Sequence, residues 1–171
     1  MTAFVALLRA VNVGGTGKLP MTELKAFCEA EGFTKVKTYI ASGNVVFEAA
    51  MTEAKVKAAL EKRLADYAGK PVGVMVRTAA EMAAVLAANP FPDAPANITV
   101  AIFLDDAPPA DTLDRVVAPD GEQVRLGQRE IYVYYPQGQR DTKLKLPAAK
   151  AGTARNINSV AKLAEMAGAL E

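Results

Sequence analysis

The residues able to do chemistry in this chain gather in three blocks. Arg9, Asn12, Gly14, Gly15 and Lys18 follow one another closely, Ser42-Gly43-Asn44 lies between two apolar runs, and Arg155-Asn156 stands within Thr153–Ser159. Guanidinium and ammonium groups bind oxyanions, and glycines let a turn present backbone N–H groups to a negative charge. Amides and hydroxyls add orientation. Together these types support the binding of a small anionic or phosphate-bearing ligand in a cleft near the first strand. Their spacing is neither that of a P-loop nor that of a dinucleotide fingerprint, so no nucleotide class follows from it.

Each block also has a structural use. Arg9 can hold backbone carbonyls or a carboxylate. Gly43 and Asn44 suit a tight turn because both tolerate positive φ, and Thr153, Asn156, Asn158 and Ser159 can each cap a helix. Arg155 is harder to explain, because a cation at a helix N-terminus opposes the macrodipole unless something negative lies close by.

What is missing narrows the chemistry further. The chain has no histidine, which removes Ser-His-Asp and Cys-His catalysis, imidazole acid–base chemistry and histidine metal sites. Ser42 without a histidine or an identified lysine base is a poor nucleophile. Cys28, the single cysteine, falls on an apolar helical stripe and reads as a buried thiol, with no intrachain disulfide or thiolate cluster available. Asp105-Asp106 reads as a strand-ending turn or helix cap rather than a metal site. No catalytic residue, cofactor or metal ligand is identified, and the sequence decides neither for nor against an enzyme.

Composition bounds the partners. The chain has 171 residues, 51% hydrophobic and 23% charged, enough to bury a substantial core. Twenty Lys and Arg against nineteen Asp and Glu leave a net charge of +1, which argues against nucleic acid or an anionic membrane surface as partner. Arg140, Lys143 and Lys145 near Tyr132, Tyr134 and Tyr135 have the composition of a single-strand-binding surface. Strand alternation, however, sends Tyr135 to the face opposite Tyr132 and Tyr134. A nucleic-acid-binding ferredoxin-like module and a protein–protein adaptor or homodimer are the two alternatives to the small-ligand reading. Residues 1–9 lack a basic n-region and are too short an apolar run for a signal peptide or membrane span, so the expected setting is cytoplasmic.

The elements that must position these residues follow from periodicity. Phe4–Arg9 is a short apolar run typical of a buried strand, ended by the glycine pair. Met21, Leu24, Phe27 and Cys28 recur at helical spacing, with Gly32 as C-terminal cap. Val36–Ile40 and Asn44–Glu48 form a hairpin, Thr52 caps a helix carrying Val56, Leu60, Leu64 and Tyr67, and Pro71–Arg77 returns as a strand. This order predicts an α+β protein whose N-terminal half, residues 1–77, is a ferredoxin-like βαββαβ subdomain. Residues 78–171 are predicted as a second α+β subdomain of βαββα type. It opens on the capping box Thr78–Glu81, followed by the proline-broken stretch 89–95, strands at 98–104, 123–126 and 130–135, and a short helix carrying Leu113, Val116 and Val117. Its tail, 143–168, is expected as two C-terminal helices separated near Gly152.

The blocks Leu7–Gly15, Met21 with Leu24, Gly32-Phe33, Thr38–Phe47 and Thr153–Asn156 closely resemble the bacterial family catalogued as domain of unknown function 1697. The family pattern often has Gly where Ala10 stands and an aromatic where Ile157 stands. The resemblance spans nearly the whole chain and implies a compact cytoplasmic α+β protein with ferredoxin-like elements. It brings no assigned activity and no catalytic residue.

Overall fold

A computed structural model describes residues 1–9, 19–40, 43–140 and 142–170. The chain is a mixed α+β protein, and its described residues form two four-stranded antiparallel sheets and four α-helices. Its backbone divides into two compact units, Met1–Ala83 with Lys162–Glu171, and Ala84–Ala161. The division expected from sequence, at residues 77 and 78, follows the change of secondary structure at the capping box. The compact units follow packing, so the last turns of the final helix group with the first unit.

In the first unit, β1 (Thr2–Leu8) is followed by α1 (Met21–Ala30), β2 (Thr34–Tyr39), β3 (Asn44–Ala49), α2 (Glu53–Ala68) and β4 (Val74–Thr78). The strands lie in the order β2-β3-β1-β4. Alternate residues of the central strands, Phe4, Ala6 and Leu8 of β1 with Val45, Phe47 and Ala49 of β3, meet Leu24 and Cys28 of α1 and Val56, Leu60 and Leu64 of α2 in one core. That is the period-2 stripe of a sheet laid on the 3.6-period stripes of two helices. Phe33 stacks on Phe47 with ring centroids 4.4 Å apart. Thr52 caps α2 by accepting from the Lys55 N–H, and Gly69 ends it at φ 71°. α2 also holds the start of β4, since Lys57 donates to the Val74 carbonyl while Glu61 accepts from the Val74 N–H at 3.1 Å.

α3 (Ala79–Ala87) follows β4 at once. The expected capping box is present: Thr78 N–H donates to Glu81 Oε1 at 2.9 Å, and Glu81 N–H to Thr78 Oγ1 at 3.1 Å. The second unit then contains β5 (Thr99–Phe103), β6 (Gln123–Leu126), β7 (Glu130–Tyr134) and β8 (Thr153–Asn156), in the order β6-β7-β5-β8. α4 (Ile157–Gly168) closes the chain. Val100, Ile102 and Leu104 with Ile131, Val133 and Tyr135 form the core here.

Two expectations for this half need correction. The short helix expected near Leu113 is a single 3₁₀ turn, Leu113–Arg115, with Leu113 and Val117 about half exposed. Of the two tail helices, the first is a 3₁₀ segment, Pro147–Ala151, and between it and α4 runs the unexpected strand β8. Thr-Ala-Arg-Asn has no alternating apolar pattern to mark a strand. Its pairing with β5, from Val100↔Asn156 to Phe103↔Thr153, is a tertiary decision.

β8 makes the second unit a register-for-register repeat of the first. Phe4 pairs with Phe47 and Thr78, and Val100 with Val133 and Asn156. Val5 pairs with Val46 and Arg77, and Ala101 with Tyr132 and Arg155. Residues Asn156 and Thr78 are therefore equivalent, and each caps the helix that follows: Asn156 Oδ1 accepts from the Ser159 N–H at 2.9 Å.

Candidate functional site

Arg9 stands directly beyond β1. Its strand neighbours Ala3–Leu8 are all buried, while Arg9 is exposed. Backbone pairing continues past the strand on both sides: Leu8 N–H donates to the Gly43 carbonyl and Arg9 N–H to the Gly73 carbonyl, each at 2.8 Å. The base of the arginine is thus fixed between the β2–β3 connection and the segment before β4. The aliphatic stem of Arg9 lies beside Gly73, where a Cβ would make ordinary van der Waals contact with Arg9 Cβ and Cδ at 3.6 Å.

Asn44 is fully buried at the start of β3, and its Nδ2 donates to the Tyr39 carbonyl at 2.9 Å. It closes the hairpin on itself, with Gly43 at φ 90°. Asn12, Gly14, Gly15, Lys18 and Ser42 lie outside the described residues.

Arg155 and Asn156 belong to the second unit. Asn156 is the helix cap already described. Arg155 is partly buried; its Nη1 donates to the Ala154 carbonyl at 2.9 Å. Burial pushes its guanidinium down to about 10, because removing water from a cation disfavours the charged form.

Sequence reasoning missed Arg77. It occupies the β4 position equivalent to Arg155, is fully buried, and its Nη1 donates to the Val76 carbonyl at 3.0 Å. A sign of it was legible: in both halves an arginine immediately precedes a helix-capping residue, Arg77-Thr78 and Arg155-Asn156.

The other chemistry-bearing groups are structural. Burial, reinforced by the charges of Glu29 and Glu31, pushes the Cys28 thiol up to about 12, so it is an inert core residue at neutral pH. Tyr132 is buried, its hydroxyl donates to the Val85 carbonyl at 2.8 Å, and burial with the nearby Glu130 charge raises it to about 12. A ring so enclosed offers no face for base stacking. Tyr134 leans on Phe91, which Arg125 covers at 5.8 Å.

At the opposite end of β1 from Arg9, an open depression of about 590 Å³ is lined by Met1, Phe4, Met51, Thr52, Lys55 and Thr78 among others. It brings together the capping residues of α2 and α3. Among the described residues no group of three His, Cys, Asp or Glu side chains could hold a metal ion, and no helix is long and apolar enough to cross a membrane.

Comparison with known proteins adds a family and a fold. A family model described as a protein of unknown function, DUF1697, matches residues 1–132. The chain is similar to the solved structure of the conserved bacterial protein SP0830 from Streptococcus pneumoniae, at 24% identity and a TM-score of 0.80, covering 97% of this chain and 98% of that one. No curated protein matches the chain.

Proposed function

Because the chain belongs to the DUF1697 family of proteins of unknown function, we propose a function from the site itself: binding of a small anionic, phosphate-bearing ligand at the end of β1, with Arg9 as its cation. The supporting observation is the setting of Arg9, an exposed guanidinium whose backbone is pinned to Gly43 and Gly73 at the end of an otherwise buried strand. With the backbone already held, binding there costs only the freedom of the side chain. Asn12, Gly14, Gly15, Lys18 and Ser42, next to these anchors in sequence, complete the proposed set. In this reading the first unit is a ferredoxin-like module, supported by its βαββαβ order and the strand order β2-β3-β1-β4. A cytoplasmic setting accords with the single buried thiol.

The test is a thermal-shift titration with inorganic phosphate and simple phosphate esters. A ligand at one hundred times its dissociation constant adds about 2.7 kcal/mol of stability, so the wild type should melt several degrees higher and Arg9→Ala should lose the rise. A full shift in Arg9→Ala, or none in the wild type, ends the proposal.

A further inference from the structure

The two sheets repeat each other in register but are covered in different ways. In the first unit α1 and α2 lie on the sheet with Leu24, Cys28, Val56, Leu60 and Leu64 each at most 1% exposed. The matching face of the second sheet, Val100, Ile102, Val124, Ile131 and Val133, is as apolar and is buried too, yet it has no α-helix of this kind. What packs on it is Val116 and, from the segment Thr142–Ala151, Leu144, Leu146, Ala148 and Ala149. No residue of Thr142–Ala151 is fully buried, and its lysines, Lys143, Lys145 and Lys150, are exposed. The segment is a strap. It holds one 3₁₀ stretch, Pro147–Ala151, and one isolated bridge, in which Val117 N–H donates to the Lys145 carbonyl at 3.0 Å and Lys145 N–H to the Val117 carbonyl at 2.8 Å.

We infer that Thr142–Ala151 is a gate: it swings off the second sheet as one body while β5, β6, β7 and β8 stay paired, and so bares an apolar face that the closed protein hides. One end of it is fixed. At Gly152 the backbone runs so close to β5 that a Cβ would lie 2.7 Å from Ile102 Cγ2, and the next residue already belongs to β8. Lys150, beside that end, is engaged as well. The other end is latched through a single side chain. The Thr142 hydroxyl donates to Glu122 Oε2 at 2.8 Å and accepts the Leu144 N–H at 3.1 Å, which ties the start of the strap to the buried carboxylate before β6. Segments that open ahead of global unfolding are those with half-buried side chains and few backbone bonds, and the strap has both properties. The sheet beneath has neither, because β5 is laddered on both sides, to β7 and to β8, through pairs that do not involve the strap. Opening therefore breaks the latch and the Val117–Lys145 bridge and leaves the ladders intact.

Thiol labelling of the full chain separates this motion from unfolding of the unit. Val133→Cys places a thiol on the face beneath the strap, and Ala101→Cys places one on the opposite face of the same sheet; both native side chains are fully buried. Cys28, buried in the first unit, reports unfolding there. With a maleimide in excess, position 133 should be modified at least about tenfold faster than position 101 or Cys28. Urea well below the unfolding transition should hardly change that rate, because opening the strap exposes far less surface than unfolding. Thr142→Val should speed modification at position 133 by roughly tenfold, the worth of one hydrogen bond to a carboxylate, and Thr142→Ser should keep the wild-type rate. Equal rates at positions 133 and 101 overturn the inference, since the unit would then open only by unfolding. A rate at position 133 that Thr142→Val leaves unchanged overturns it too. Should a cysteine variant fail to fold, amide hydrogen exchange of the wild type gives the same decision: the Val117 and Lys145 amides exchanging together and ahead of the β5 amides support the gate, and a common protection for all of them overturns it.

Discussion

Ile40 is held where isoleucine is least at ease. It follows β2 at φ 51° and is half exposed, a left-handed conformation that costs a β-branched residue roughly 1–2 kcal/mol. The neighbouring contacts explain why it persists: Asn44 grips the Tyr39 carbonyl on one side, and the Gly43 carbonyl is held by Leu8 on the other. Little apolar burial offsets the strain at such an exposed position. Ile40→Asn, which accepts this conformation, should therefore raise stability by about 0.5–1 kcal/mol in urea unfolding, and a loss would show that the side chain packs more than its exposure implies. The same strand end shows what sequence could tell of a site. Arg9 as a cation at the close of a buried strand was legible from type and position. That Asn44 faces inward and serves the hairpin was not, because a turn asparagine reads alike whether its amide meets a ligand or its own backbone.

The elements divide by how local their causes are. α1 and α2 were readable because a helical apolar stripe and a left-handed glycine agree in each over ten residues or more, with the Thr52 cap added in α2, and local agreement of this kind survives tertiary packing. β8 was not, since four residues of mixed polarity become a strand only by pairing with β5. Its entry into the sheet depends on one glycine. A Cβ at Gly152 would lie 2.7 Å from Ile102 Cγ2 and 2.8 Å from both Leu104 Cδ2 and the Phe103 carbonyl, so the backbone there passes against the central strand of its sheet. Gly152→Ala should cost about 1–3 kcal/mol, the usual range for overpacking, and lower the melting temperature without changing ligand response at Arg9. An unchanged melting temperature would mean that the β8 edge yields freely. The replacement of two α-helices by 3₁₀ turns in the second unit has a local cause as well: Pro108, Pro109, Pro119, Pro136 and Pro147 punctuate the connections that would carry them.

Over the whole molecule, the repeat of one strand order in two units is the organising fact, and the second unit, with less helix over its sheet, leans on long-range polar ties. Glu122 is buried just before β6, where it accepts from the Thr142 hydroxyl at 2.8 Å and from the Asp120 N–H at 3.0 Å. Burial alone would raise its carboxyl, but the Thr142 hydroxyl and the backbone N–H groups of Glu122 and Asp120 outweigh it and hold it below its ordinary value. A depressed folded value means that the unfolded chain takes up the proton first. The contribution of Glu122 is therefore complete above the ordinary value of 4.5 and fades as pH falls through the folded one. Urea unfolding of the wild type and Glu122→Gln should show the wild type ahead at pH 7 and the gap closing toward pH 3; a gap independent of pH would assign the effect to packing. The sequence by itself determined the α+β class, the family, the first unit's elements and the absence of histidine chemistry, because those depend on composition and on patterns within one helix or strand. Only the tertiary structure decided that β8 completes a second sheet and that Arg77 is buried beside a cap as the equivalent of Arg155. Each of these is a pairing between residues distant in the chain, fixed by backbone hydrogen bonds that leave no mark in local periodicity.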